Sequence, residues 1–202
     1  MTTLVVTLAG AAGLTALAAT VGFLVYLHTV PTGLSPLRNA VSQYGISAHR
    51  GGYRGATIAF AIAGAAMAVA LGVALRDRNP GALVALLLIF AAARALISWF
   101  PMDAPGAPAT GTGELHRVLA FVAFAAVTAA AFLLSTRLQG WNHWQSLGPL
   151  SSGLGWAMLA CLLAMLMARD TQRSRQWFGA AERAFYLVAL GWCAVFAVAC
   201  VA

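Results

Sequence analysis

The chain has 202 residues, of which 61% are hydrophobic and only 8% are charged, with a formal net charge of +7. A soluble domain carries about 25% charged residues. The composition therefore disfavours a soluble enzyme, a nucleic-acid binder and a disordered tail, and it reads as an integral membrane protein.

Crossing a hydrocarbon core of about 30 Å takes roughly 20 apolar residues in a helix. Six segments qualify, near 3–27, 54–75, 81–100, 115–136, 147–168 and 184–201. An unpaired backbone group in lipid costs several kcal/mol, so these spans are helical. Period-2 alternation is absent, which argues against a β-barrel. The expected fold is all-α, a single integral membrane bundle of six transmembrane helices over residues 1–202, multi-pass in the cell membrane. The first run lacks a basic leader region and is long for a signal core, so it reads as a retained span. In the second, Gly64, Ala65, Ala68 and Gly72 suit close helix contact. Cys161, Cys193 and Cys200 lie within apolar runs, against a disulfide framework or a thiolate metal site.

The connections are unequal. Arg76-Asp77-Arg78-Asn79-Pro80 is a tight turn, and the stretch from Arg137 to Ser146 is short, with Trp141 and Trp144 as candidate interfacial anchors. The first connection (His28 to Tyr53), the third (Pro101 to Gly113) and the fifth (Arg169 to Arg183) are long or polar. Six helices put these three on one membrane face. That face and its helix ends carry Arg38, Arg50, Arg54, Arg117, Arg169, Arg173, Arg175 and Arg183, against Arg76, Arg78 and Arg137 on the other. Arginine asymmetry then puts the polar face in the cytoplasm and both termini outside. All twelve basic residues are arginine. Without lysine there is no retinal Schiff base and no lysine imine or base.

Arg94 lies six residues before Phe100, about 9 Å below the helix end at 1.5 Å per residue. It either snorkels to the interface or faces the bundle interior. Ser98 shares its face at i+4, which favours the interior. A buried guanidinium stays charged and needs an acceptor. Asp103 is the first expected partner and Glu114 the second. Asp103, in Met-Asp-Ala-Pro-Gly, is a turn residue, a catalytic acid or base, or a metal ligand. Glu114 stands in a first helical turn, where the dipole favours a carboxylate. Ser42, His116 and Asp103 invite a serine-hydrolase reading, although no Gly-x-Ser-x-Gly elbow surrounds Ser42. Ser42 equally caps a short re-entrant helix. His28, His49 and His116 share the polar face with Asp103 but show no HxxxH or HExxH spacing. No metal, haem or other cofactor is expected.

Three short motifs fall in order along the chain. Ser42-Gln43-Tyr44-Gly45 follows the first helix, Phe100-Pro101-Met102-Asp103 follows the third, and His116 opens the fourth. Together they resemble the bacterial and archaeal membrane family called "domain of unknown function 998", whose pattern has Ser-x-x-Gly, Phe-Pro-x-Asp and a His at these places. The resemblance covers nearly the whole chain. It implies about six helices and no assigned activity, and it favours a functional role for His116 over that of an interfacial residue.

Two functions remain open. In the first, an enzyme performs acid/base chemistry on a lipid or isoprenoid-type amphiphile. Asp103, His116 and Ser42 would be catalytic, and Arg94, Arg38, Asn39, Tyr44 and Glu114 would bind substrate. In the second, the chain is a non-catalytic lipid-binding, transport or accessory protein. The expected partners are membrane lipids and a hydrophobic or amphiphilic small molecule, not nucleic acid. An ion channel is weaker, since no ring of repeated polar residues appears. Asp103 and His116 within hydrogen-bond reach around a closed cavity would favour the enzyme.

Overall fold

The computed structural model describes residues 2–141, 144–170 and 175–202. Six α-helices account for the six apolar runs: α1 (Thr2–Thr29), α2 (Arg50–Ala74), α3 (Gly81–Leu96), α4 (Gly111–Leu138), α5 (Leu147–Asp170) and α6 (Phe178–Val201). All six are long and apolar enough to cross a membrane, with α3 counted together with the 3-10 turn Ile97–Trp99 that extends it. Of the arginines in the orientation argument, Arg173 and the side chains of Arg169 and Arg175 lie outside the described residues.

Each helix packs against its neighbours in sequence, and α6 returns to α1, so the six close into a ring. Short connections favour antiparallel neighbours, and the ring follows from that local rule. Gly64 and Gly72 of α2 lie against Phe90 and Val84 of α3. The middle is filled by aromatic rings. Phe60 meets Phe90 edge-on at 4.9 Å, and Phe124 lies 4.4 Å from Phe185. A buried polar chain toward the other end joins three helices. Trp192 Nε1 donates to Ser151 Oγ at 2.9 Å, and Ser151 donates onward to Ala131 O at 2.8 Å, linking α6, α5 and α4. Trp144, expected at an interface, is instead buried against Trp141.

Three helices begin before their apolar runs. α2 starts at Arg50, α4 at Gly111 and α6 at Phe178, where the sequence suggested 54, 115 and 184. Polar side chains in a first turn can reach the interface while the backbone is already helical. The shift makes Glu182 and Arg183 helical residues and places His116 inside α4.

The first and third connections meet the starts of α4 and α6 at one end of the bundle. Ser42 Oγ donates to Met102 Sδ at 3.2 Å, and Ala180 N donates to Leu37 O at 3.0 Å. The 3-10 segment Val41–Ile46 lies in the first connection, with Val41 and Tyr44 buried beneath it.

Candidate functional site

Under these connections lies a half-open chamber of about 240 Å³. Besides Ser42 of the first connection, its polar members come from four helices: Tyr53 of α2, Arg94 of α3, His116 and Arg117 of α4, and Glu182 and Tyr186 of α6. Its apolar walls include Phe124, Leu162 and Met165. Phe121 and Leu166 also line it, and both are exposed on the outside of the bundle. The lateral wall therefore meets the lipid-facing surface.

Arg94 points into the bundle and is only 2% exposed. Its expected pairing with Asp103 does not occur, and neither does the alternative with Glu114. The ion pairs among the described residues are Arg76 with Asp77 and Arg117 with Glu114. The Arg94 guanidinium sits instead 5.1 Å from the Tyr186 ring centroid and 5.7 Å from that of Phe60, at cation–π range. Glu182, 5% exposed, lines the same chamber, and its Oε2 accepts from Val41 N at 2.6 Å.

Asp103 is turned away because another group claims it. Its Oδ1 accepts from the Thr110 hydroxyl at 2.6 Å and its Oδ2 from Thr110 N at 3.3 Å. Thr110 is the N-cap of α4, accepting from Gly113 N at 3.1 Å, as a helix start demands. Gly113 packs so closely on Asp103 that a Cβ there would collide with the carboxylate. The hydroxyl of Thr110 is the main cause that holds the Asp103 carboxyl below the usual carboxylate range. Asp103 thus braces the start of α4, close to the turn reading of its sequence.

That brace positions His116. The imidazole is 4% exposed, and its Nδ1–H donates to Phe100 O at 2.7 Å. A carbonyl can only accept, so Nδ1 carries a proton and Nε2 is left free. Among the described residues three buried side-chain nitrogens lack a hydrogen-bond partner: Arg94 Nε, His116 Nε2 and Arg137 Nε. The first two face one chamber. Arg137 lies at the opposite end of α4.

Beside the chamber is a polar vestibule of about 580 Å³. The two share Ser42, Tyr53, Ile97, Met102 and His116. Arg50, Arg54 and Trp99 belong to the vestibule alone. Gly45 is needed here, since a Cβ would come within 2.8 Å of the Tyr53 ring. Each part of the three-part motif thus helps shape the junction. Gly45 admits Tyr53, Phe100 orients His116, and Asp103 fixes the helix that carries it. Arg50, Arg54 and Arg117 line these pockets, so part of the arginine asymmetry reflects the site rather than orientation.

Of the residues the sequence suggested, Ser42, Arg94 and His116 line the chamber. Ser42 bonds Met102 rather than His116. Asp103 lies in a shallow outer depression. Glu114 pairs with Arg117. Arg38 is exposed on a turn. Asn39 bonds Ser35 N and Gln43, and Tyr44 is buried beside His28 and Arg183. Glu182, Tyr53, Tyr186 and Arg54 were not singled out from the sequence. Glu182 and Tyr186 are four apart, the spacing of one helical face, which was the available signal. Among the described residues no group of three metal-ligating side chains gathers.

No curated protein and no solved structure matches the chain. A match to the family described as a protein of unknown function, DUF998, runs from residue 3 to residue 199. With its motifs converging on one buried imidazole and its match spanning nearly every residue, the chain belongs to the DUF998 family of multi-pass membrane proteins.

Proposed function

We propose that the protein binds a membrane amphiphile, with the chain against the apolar chamber walls and a polar group at Arg94, His116 and Glu182. One observation carries the reading: Arg94 Nε and His116 Nε2 are buried, unpartnered and in the same chamber. A buried polar atom without a partner loses about 1–3 kcal/mol, and a ligand that supplies acceptors and donors removes that loss. The exposed flanks of Phe121 and Leu166 give a path from the bilayer. Binding is favoured over a Ser-His-Asp reaction, because Ser42 and Asp103 are each hydrogen-bonded elsewhere.

The test is the lipid complement of protein reconstituted in nanodiscs. Wild type should carry an enriched amphiphile that Arg94→Met and His116→Phe both lose. Identical lipid profiles in all three proteins would end this reading. Catalysis remains a second reading on one ground. With Nδ1–H held by Phe100 O, neutral His116 presents a lone pair to the chamber, the state of a general base. Conversion of the enriched amphiphile by wild type, absent in His116→Phe, would establish it.

A further inference from the structure

The chamber and the vestibule differ in charge. The chamber lining carries Arg94 and Arg117 against Glu182, and Arg117 is already paired with Glu114, so an anion entering it meets one uncommitted guanidinium beside a carboxylate. Among the described residues the vestibule lining has two guanidiniums, Arg50 and Arg54, and no carboxylate. The pair stands at i and i+4 at the start of α2, on one face, where the helix dipole adds partial positive charge. Two exposed cations on a helix end would not by themselves define a site. The second observation is His116, 4% exposed, with Nε2 unpartnered and its ring lining the vestibule as well as the chamber. Trp99 sets the depth. It is 53% exposed, with the Arg54 guanidinium 5.0 Å from its ring centroid, and tryptophan concentrates at headgroup level.

Resting on the reading of the chamber as the seat of an amphiphile, we propose that the polar group met there by Arg94 and His116 extends past His116 into the vestibule, and that this head is a phosphate monoester. Arg50 and Arg54 meet its oxygens as charge-assisted donors. His116 Nε2 stands at the junction and can serve either ionisation state. As the neutral tautomer it accepts from a P–OH group, and as the imidazolium it donates to P–O⁻. The second ionisation of a phosphate monoester falls near pH 6, so both ligand forms are populated close to neutrality. A zwitterionic phosphodiester headgroup has no P–OH, and its own cation faces two guanidiniums. Zwitterionic lipids of a bilayer are thereby poor competitors for the vestibule.

The experiment compares dodecyl phosphate with 1-dodecanol, which has the same chain and no charge. Both are titrated into full-length protein in phosphatidylcholine nanodiscs, and affinity is read from the melting-temperature shift. Wild type should bind dodecyl phosphate about tenfold more tightly or better, the range for charge-assisted bonds. Arg50→Gln/Arg54→Gln should lose that preference and keep dodecanol binding, which also shows that the variant is folded. Equal affinity of wild type for the two ligands, or a preference that survives the double substitution, overturns the vestibule proposal and leaves the chamber reading standing. Failure of both ligands to bind wild type overturns both. If inorganic phosphate alone protects wild type as well as dodecyl phosphate does, the phosphate site stands and its source is the free ion.

Discussion

Arg183 and Arg94 sit near the same end of the bundle, and they differ in how fully their donors are engaged: Arg94 Nε has no partner. Arg183 Nε donates to His28 Nε2 at 2.7 Å. One terminal nitrogen donates to Asn39 O at 2.7 Å and Gly179 O at 3.0 Å, and the other lies 3.5 Å from Tyr44 Oη. His28 Nδ1–H donates to Leu24 O at 2.6 Å, which leaves its Nε2 free to accept. This corner ties α1, the first connection and α6 together with every group answered. The Arg94 chamber is its opposite: equally aromatic, more deeply buried, and short of partners. In a bundle with so few charges, the state of a charge's partners separates a structural arginine from one that waits for a ligand.

The comparison is most easily broken at the corner. Arg183→Met should cost about 3 kcal/mol, because it strips the donor from His28 Nε2 and two backbone carbonyls. A melt within about 1 kcal/mol of wild type would erase the distinction between the two arginines. Gly179→Val comes next, at about 2 kcal/mol by overpacking. Its Cβ would stand 2.5 Å from Asn39 O and 2.8 Å from Pro36 O, so denaturant midpoints should fall. Thr110→Ala removes the cap of α4 and should cost about 1 kcal/mol. It should also move the His116 ring resonances in an NMR spectrum, which sharpens the chamber side.

Arg94→Met should leave stability within about 1 kcal/mol of wild type while abolishing amphiphile retention, since an apolar side chain can match a buried, underpaired charge. A large loss of stability in this variant would place Arg94 with Arg183 as a structural residue. The smallest effect belongs to Asp103, which is half-buried at the outer end of the bundle. Its folded-state carboxyl titrates below the usual range, so its contribution is present at neutral pH and lost as pH falls through that lowered value. Asp103→Asn should flatten the acid limb of the melting profile, followed from neutral pH down to about pH 3.

The six spans were legible because hydropathy over roughly 20 residues is a strong signal. The start of α6 was not. Glu182 and Arg183 interrupt the apolar run, which begins at residue 184, so hydropathy leaves in a loop a carboxylate that lines the chamber from within α6. Arg94 was recognisable as an interior charge, but its surroundings depended on where the third connection folds. Thr110 decided that by taking Asp103 for the start of α4. A short polar side chain with several possible partners gives no sequence signal for which one it takes. The motif Ser42, Gly45, Phe100, Asp103 and His116 gathers at the chamber end of the molecule, while the contacts of its members are visible only in three dimensions. Gly45 and Asp103 shape, and His116 faces the cavity.

The vestibule's two cations are both guanidiniums, in a chain without lysine. A guanidinium does not lose its proton at any pH a cell reaches, and it offers no amine for acetylation to neutralise. The attraction of the vestibule for an anion is therefore a fixed quantity, set by screening alone. Any change in capture with acidity must arise at the imidazole of the junction, at the Glu182 carboxyl of the chamber or on the ligand itself, so an acid-dependent binding curve, compared between wild type, His116→Phe and Glu182→Gln, would identify which of the three carries the proton.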